Sequence, residues 1–463
     1  MSSDLAPLRR PWLTLALVGL LAAGCGRPPG RLAPRSPSAG TTQEIQAEAG
    51  AVREPAPDMR LSADDWPMWR GPNQDGVAAG NVPTTWSATQ NVVWKAPIPG
   101  RGHSSPIVVG DRIYFETADD QRKIQSVVCL NRADGSLAWQ TEVHQGKFEQ
   151  AVHHENTHAS STLACDGSRV YALFLNDRKI WATALDLDGN LVWQKEVGNF
   201  ASRFGYAASP ALFQDFILAA ADHSSGGFVA ALHRATGDIV WRKRRDAIDS
   251  YASPRVIDLG DKPQLILGGT NKVVSYDPQT GEQFWSVNGT AGAVVGTAVA
   301  ASGVIVVSGG YPEAQTLALS PDGTVLWKDN DKTYVPSLLA YEGHVYLVND
   351  DGVAICWEAS TGKEKWKHRI GGNFRVSPLL IGGNIYVTDM SAKTTVFRAS
   401  PERFDAVAEN QLGTEAFATP AVSRNQLLLR VADTSEGRRQ EYLYCIGDSS
   451  AKVSSRGAES EMR

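Results

Sequence analysis

The chain has 463 residues, 42% of them hydrophobic and 21% charged, with 43 glycines and 13 tryptophans. A formal charge of −5 supplies no basic field for nucleic acid. Past residue 25 no apolar run is long enough to cross a bilayer as a helix.

Arg9 and Arg10 precede an apolar run from Pro11 to Ala23, followed by Gly24 and Cys25. A charged start, a short hydrophobic stretch and small residues before a cut site describe an export signal. The run Leu21-Ala-Ala-Gly-Cys25 resembles a bacterial lipobox, so residues 1–25 are expected to be a lipoprotein signal peptide with Cys25 acylated. Gly26, where aspartate would mark inner-membrane retention, points to the outer membrane, facing the periplasm. Residues 26–62 are rich in Pro, Ser, Gly, Ala and Glu and bury too little to fold, which predicts a disordered tether. A disordered tail is expected over 448–463 for the same reason.

Between them, over 63–447, a unit recurs. Six times an Asp-Gly or Thr-Gly turn is followed four residues later by tryptophan: Gly135 and Trp139, Gly189 and Trp193, Gly237 and Trp241, Gly281 and Trp285, Gly323 and Trp327, Gly362 and Trp366. The interval shrinks from 54 residues (135 to 189) to 39 (323 to 362), so insertions fall in loops while the local unit stays fixed. Within a unit, β-branched and aromatic runs are broken by turn dipeptides into four short strands. Four-stranded antiparallel sheets of this length, arranged radially, predict an all-β, eight-bladed β-propeller. A seventh unit starts at Ser377 and lacks the tryptophan; an eighth starts at Ala418 and lacks a fourth strand. The upstream run Gln90–Ile98 carries Trp94 in the repeat position, and pairing it with the eighth unit would close the ring. Seven blades is the alternative.

Cys129, Cys356 and Cys445 share a slot in which other units hold Ala184, Ala231, Ser275 or Ala318. A position that accepts Ala, Ser and Cys selects for small size, so these thiols and Cys165 are expected to be unbridged. No metal site is expected. The cluster His153–His158 (HHENTH) lacks the further ligands zinc needs, and Asp186-Leu-Asp188-Gly189 is a repeat turn. Before the innermost strand of most units stands a polar or aromatic residue: His103, His158, Tyr206, Tyr251, Tyr334, Arg375 and Phe417. In a propeller these positions converge on one mouth of the central channel, making them the candidate binding residues.

Together the units resemble the quinoprotein (PQQ-type) propeller repeat, SSP…VxxDRxY…ALDxxTGxxxW, over residues 66–447. The lead-in Asp65–Gly76 (DWPMWRGPNQDG) is similar to that of exported planctomycete PQQ-repeat proteins. Its Trp66, Trp69 and Arg70 are expected against the propeller's side. The resemblance implies two possible roles. Quinoprotein dehydrogenases hold pyrroloquinoline quinone over the channel, with calcium and, in many members, a vicinal Cys-Cys disulfide. This chain has no Cys-Cys pair. The BamB-like lipoproteins of the outer-membrane barrel-assembly machinery are non-catalytic scaffolds. The second role is the expectation here: a lipid-anchored cell-envelope scaffold binding envelope proteins, with no PQQ or calcium cofactor. A PQQ-dependent oxidoreductase and a carbohydrate or small-ligand binder are the alternatives.

Overall fold

The computed structural model describes residues 42–47, 55–148, 152–202, 204–259, 262–435 and 437–448. Cys25 and residues 26–41 and 449–463 lie outside the described residues. Among the described residues every regular element is a strand, and the strands form eight sheets of a β-propeller. The first blade comprises Ile107–Val109, Arg112–Asp119, Ile124–Asn131 and Leu137–Gln145, paired antiparallel in chain order. Six further blades repeat this plan.

The eighth blade is assembled from both ends of the repeat region. Val92–Ile98 pairs antiparallel with Gln440–Ile446, placing Trp94 opposite Cys445. This is the closing strand expected from the stranded tryptophan. It removes two open sheet edges without a covalent link.

The tryptophans hold the blades to one another. Each donates its indole N–H to a carbonyl of the next blade, and all but Trp366, whose neighbouring blade has no turn glycine, lie over that blade's turn glycine. Trp94 reaches Arg132 (3.0 Å), Trp139 reaches Leu187 (2.9 Å), Trp193 reaches Arg234 (3.0 Å) and Trp241 reaches Pro278 (3.2 Å). Trp285, Trp327 and Trp366 bond Pro321, Ala359 and Ser400 at 2.9, 2.8 and 2.8 Å. The turn must be glycine: a Cβ on Gly237 would sit 2.5 Å from the Trp193 ring, and its φ is +75°. Within each blade that carries one, the tryptophan faces the small slot across the strand pair, as in Cys129–Trp139, Ala231–Trp241 and Cys356–Trp366. That is why the slot accepts only small side chains. All four described cysteines are buried and free, and burial pushes the Cys129 and Cys356 thiols up to about 12.

The seventh blade inverts the rule, with Val396 in the small slot opposite Ala408. Trp86, from the segment before the closing strand, takes over this seam. It stacks on Tyr386 of the seventh blade (centroids 6.2 Å apart) and shares an apolar cluster with Leu427, Leu429 and Tyr444 of the eighth.

Hydrogen-bonded contacts to the blades are also made upstream of residue 63. Ile45 and Arg242 exchange backbone hydrogen bonds of 2.9 and 2.7 Å, so residues 42–47 lie along the outer edge of the third blade. Pro57 accepts from Arg234 Nη2 (2.9 Å), and the Arg60 amide donates to Asp166 (2.8 Å). An unpaired outer strand offers free backbone groups, and the polar segment uses them.

Candidate functional site: the channel and its mouth

Each blade presents one hydroxyl where its first strand begins: Ser105, Thr162, Ser209, Ser253, Thr297, Ser337, Ser377 and Thr419. The hydroxyls knit the channel wall. The Ser105 amide donates to Thr162 Oγ1 (3.0 Å), Thr162 to Ser209 Oγ (3.0 Å) and Ser209 to Ser253 Oγ (2.9 Å). Thr297 donates to Ser337 Oγ (3.0 Å), Ser337 to Ser377 Oγ (3.0 Å) and Ser377 to Thr419 Oγ1 (3.2 Å). The recurrent Ser/Thr-Pro of the repeat was the sequence signal for this ring.

Above the ring a cavity of about 240 Å³ opens at the mouth. Five of the seven candidate residues line it: His103, Tyr251, Tyr334, Arg375 and Phe417. Two do not. Tyr206 is buried, its hydroxyl donating to Ala220 O (3.1 Å). His158 turns away to Asp120 (2.8 Å) and stacks on Phe148 (4.3 Å). Both positions precede an inner strand, but local partners capture their side chains.

Three further groups complete the cavity. Phe204 forms part of the wall. Glu155, from the HHENTH loop before the second blade, reaches across the mouth to Arg375, which precedes the seventh blade's first strand (Nε–Oε2 2.9 Å, Nη2–Oε1 3.3 Å). Arg375 Nη1 also bonds Asp350 (3.2 Å), whose carboxylate caps the Tyr334 and Val335 amides. Burial pushes Glu155 up, but the Arg375 hydrogen bond and charge and the neighbouring His154 and His153 outweigh it and hold the carboxyl below its ordinary range. Burial raises Asp350. His103 stacks on Phe417 (4.1 Å, 11°). Burial and then Arg101, Arg430 and Arg439 drive its imidazole well below 6.5, so it is neutral at pH 7.

Trp69 is the third group, and it belongs to the lead-in. That segment does not lie along the side of the propeller but crosses the end of the channel opposite the mouth. Trp66 exchanges backbone bonds with Val108 (2.7 and 2.9 Å), Pro67 O accepts from Cys165, and Gly76 O accepts from Leu380 (2.8 Å each). Between these anchors, fully buried Arg70 donates to Leu338 O (2.6 Å) and Asp75 O (2.8 Å). Burial, then Arg255, lowers the guanidinium to about 9, which leaves it cationic at neutral pH. Val77–Ala78 then adds parallel to the inner strand of the seventh blade. The channel is therefore a funnel with one open mouth and Trp69 in its lining. Buried backbone acceptors explain the location, since the arginine satisfies carbonyls that no strand reaches.

In the seam between the first two blades, Glu116 has no exposed surface, and neither carboxylate oxygen meets a hydrogen-bond partner among the described residues. Burial raises it well above 4.5; the Leu173 backbone and Arg430 oppose that rise and do not overcome it. A group whose folded pKa exceeds its unfolded one stabilises fully below the unfolded value and loses that contribution as pH rises through the folded value. Glu116→Gln is therefore expected to be near neutral at pH 4 and to raise the melting temperature relative to wild type at pH 7–8. Thermal melts across that range check it, and parallel pH profiles for the two proteins would contradict it.

A ring of tryptophan-locked four-stranded blades around a blind, aromatic-lined channel defines the quinoprotein-like propeller class. The chain belongs to the PQQ-repeat family described as outer membrane protein assembly factor BamB, which matches residues 77–225, 225–339 and 317–406. Tetrathionate hydrolase of Acidithiobacillus ferrooxidans is 23% identical over 353 residues, covering 65% of this chain. The chain spans 65% of that relative's length. Among solved structures, a europium-containing methanol dehydrogenase superposes with TM-score 0.63 at 11% identity, over 83% of this chain and 98% of that one. BamB from Moraxella catarrhalis gives 0.55 at 16%, over 76% and 96%. Quinohemoprotein alcohol dehydrogenase from Comamonas testosteroni gives 0.60 at 12%, over 83% and 81%. At these identities the superpositions establish the fold alone.

The cavity's donor set does not fit the quinone of the dehydrogenases. Pyrroloquinoline quinone carries three carboxylates. The guanidinium lining the cavity, Arg375, is already shared by Glu155 and Asp350, and His103 is held neutral. A polyanion would meet a mouth triad whose own balance is one negative charge.

Proposed function

We propose that this chain is a non-catalytic, lipid-anchored propeller of the cell envelope that binds protein partners, with outer-membrane β-barrel assembly as its setting. The observation that carries the reading is the channel mouth of this BamB-family propeller, where two carboxylates already occupy the arginine a quinone would need. A surface feature supports it. Leu137 and Leu191 take equivalent positions after the turns of the first and second blades and are 56% and 61% exposed. Together with half-exposed Val192 they give the outer edge of these blades an apolar character suited to a partner. In-cell crosslinking followed by purification from membranes is expected to recover an envelope protein, with recovery reduced at least about fivefold by Leu137→Asp with Leu191→Asp. Recovery of no envelope protein sinks the reading. The anchor is tested separately: Cys25→Ser is expected to abolish palmitate labelling and release the protein from membranes.

A second reading, a quinone-dependent oxidoreductase, is favoured by one feature, the aromatic Trp69 in the funnel. Adding the quinone with calcium to the purified chain tests it. A bound-quinone absorbance with dye-linked alcohol oxidation would put this reading first.

A further inference from the structure

We propose that the funnel is a binding site for a neutral saccharide of about one ring, held by the channel hydroxyls and the aromatic wall. The argument rests on hydrogen-bonding valence. Thr162, Ser209, Ser253, Ser377 and Thr419 each spend an acceptor lone pair on the preceding blade's amide or on its equivalent around the ring. None of these five hydroxyls donates its own hydrogen to a protein acceptor among the described residues. A hydroxyl carries one donor and two acceptor sites. The lining thus offers a set of unspent donors from separate blades, aimed at whatever occupies the channel. His103 Nε2, also buried and without a hydrogen-bond partner among the described residues, adds a further polar atom.

The occupant must therefore be rich in acceptors. Charge then narrows the class. An oxyanion supplies acceptors, but at the mouth it meets Glu155, and the guanidinium in the lining, Arg375, is already shared by Glu155 and Asp350. An ammonium or guanidinium ligand suits Glu155 and the ring faces, yet it brings donors only and leaves the hydroxyl hydrogens unmatched. Sugar hydroxyls both donate and accept and carry no net charge. Their C–H faces pack on aromatic rings, which Trp69, Phe204, Tyr251 and Tyr334 supply around the cavity. Glu155 and Arg375, which both line the cavity, add planar groups that bond adjacent hydroxyls in pairs. A volume of about 240 Å³ lies below the usual range for drug-sized ligands, which is why the site is assigned to a single ring or a chain end. The inference does not depend on the scaffold reading, since the funnel and the outer blade edges are different surfaces.

The test uses the full chain in mild detergent and ligand-observed saturation-transfer NMR. The probes are the methyl glycosides of glucose, galactose, mannose and N-acetylglucosamine, with sodium tetrathionate and spermidine as charged comparators. At least one glycoside is expected to show transfer that neither comparator displaces. Tyr334→Ala is expected to weaken it about tenfold without lowering the melting temperature. If that variant melts early, Phe204→Leu keeps the apolar bulk and removes the ring face, and the same weakening is expected. Absence of transfer to all four glycosides at millimolar concentration overturns the proposal. So does preferential binding of tetrathionate or spermidine, or unchanged affinity in a folded ring variant.

Discussion

Trp241→Ala is expected to destabilise the propeller by about 3–5 kcal/mol, the range for deleting a fully buried large aromatic. Trp241 has no exposed surface, lies over the turn of the next blade at Gly281, and bonds Pro278 O at 3.2 Å. Alanine removes the ring, leaves the Pro278 carbonyl without its donor and opens a void between the third and fourth blades. The blades on each side are rigid sheets, so the void cannot close by moving a single side chain. Gly281→Ala is the companion. It adds a Cβ 2.6 Å from the Trp241 ring at φ +69°, so it should also lose stability while deleting nothing. Leu137→Ser, on an exposed site, serves as the control, with an expected change within about 0.5 kcal/mol. Denaturant titration measures all three. A cost below about 1 kcal/mol for Trp241→Ala would mean that the repeat tryptophans do not lock the blades.

The same lock explains which parts of the molecule could be read from the sequence. Blade number and strand order follow from a local signal, the fixed four-residue offset between turn glycine and tryptophan, and the closing strand from Trp94, which stands in the repeat's tryptophan position although Gln90 replaces the glycine. The small slot was legible too, because its side chain faces that tryptophan across one strand pair. Trp86 was not legible: it occupies the seventh seam from a segment without the repeat, and only the exchanged sizes of Val396 and Ala408 betray the need for it. The cavity was half legible. Five residues placed by repeat position do line it, since position before the inner strand sets where the backbone enters the mouth. His158 and Tyr206 share that position and find partners elsewhere, which depends on Asp120 and on Ala220 rather than on the repeat. Trp69 and Glu155 come from inserted segments that cross the channel, and contacts over such sequence distances leave no periodic trace.

The second large effect is expected at the seam where the ring closes. Arg430 of the eighth blade is 2% exposed and holds equally buried Glu441 through Nε (2.9 Å) and Nη2 (2.5 Å). Its Nη1 donates to the Ser104 and Glu116 carbonyls of the first blade at 2.9 and 3.0 Å, and its guanidinium lies 5.0 Å from the Phe115 ring. Arg430→Met keeps the apolar stem and removes every one of these bonds. Breaking a buried pair from one side costs about 3–5 kcal/mol, because the remaining carboxylate stays desolvated. Arg439, still bonded to Glu441 Oε1 at 2.7 Å, should keep the loss toward the lower end. Because the eighth blade is completed by Val92–Ile98 from the other end of the repeats, the loss should register first as faster amide exchange in that strand. Exchange accelerated equally in all eight blades would show that the closing seam is no weaker than the others.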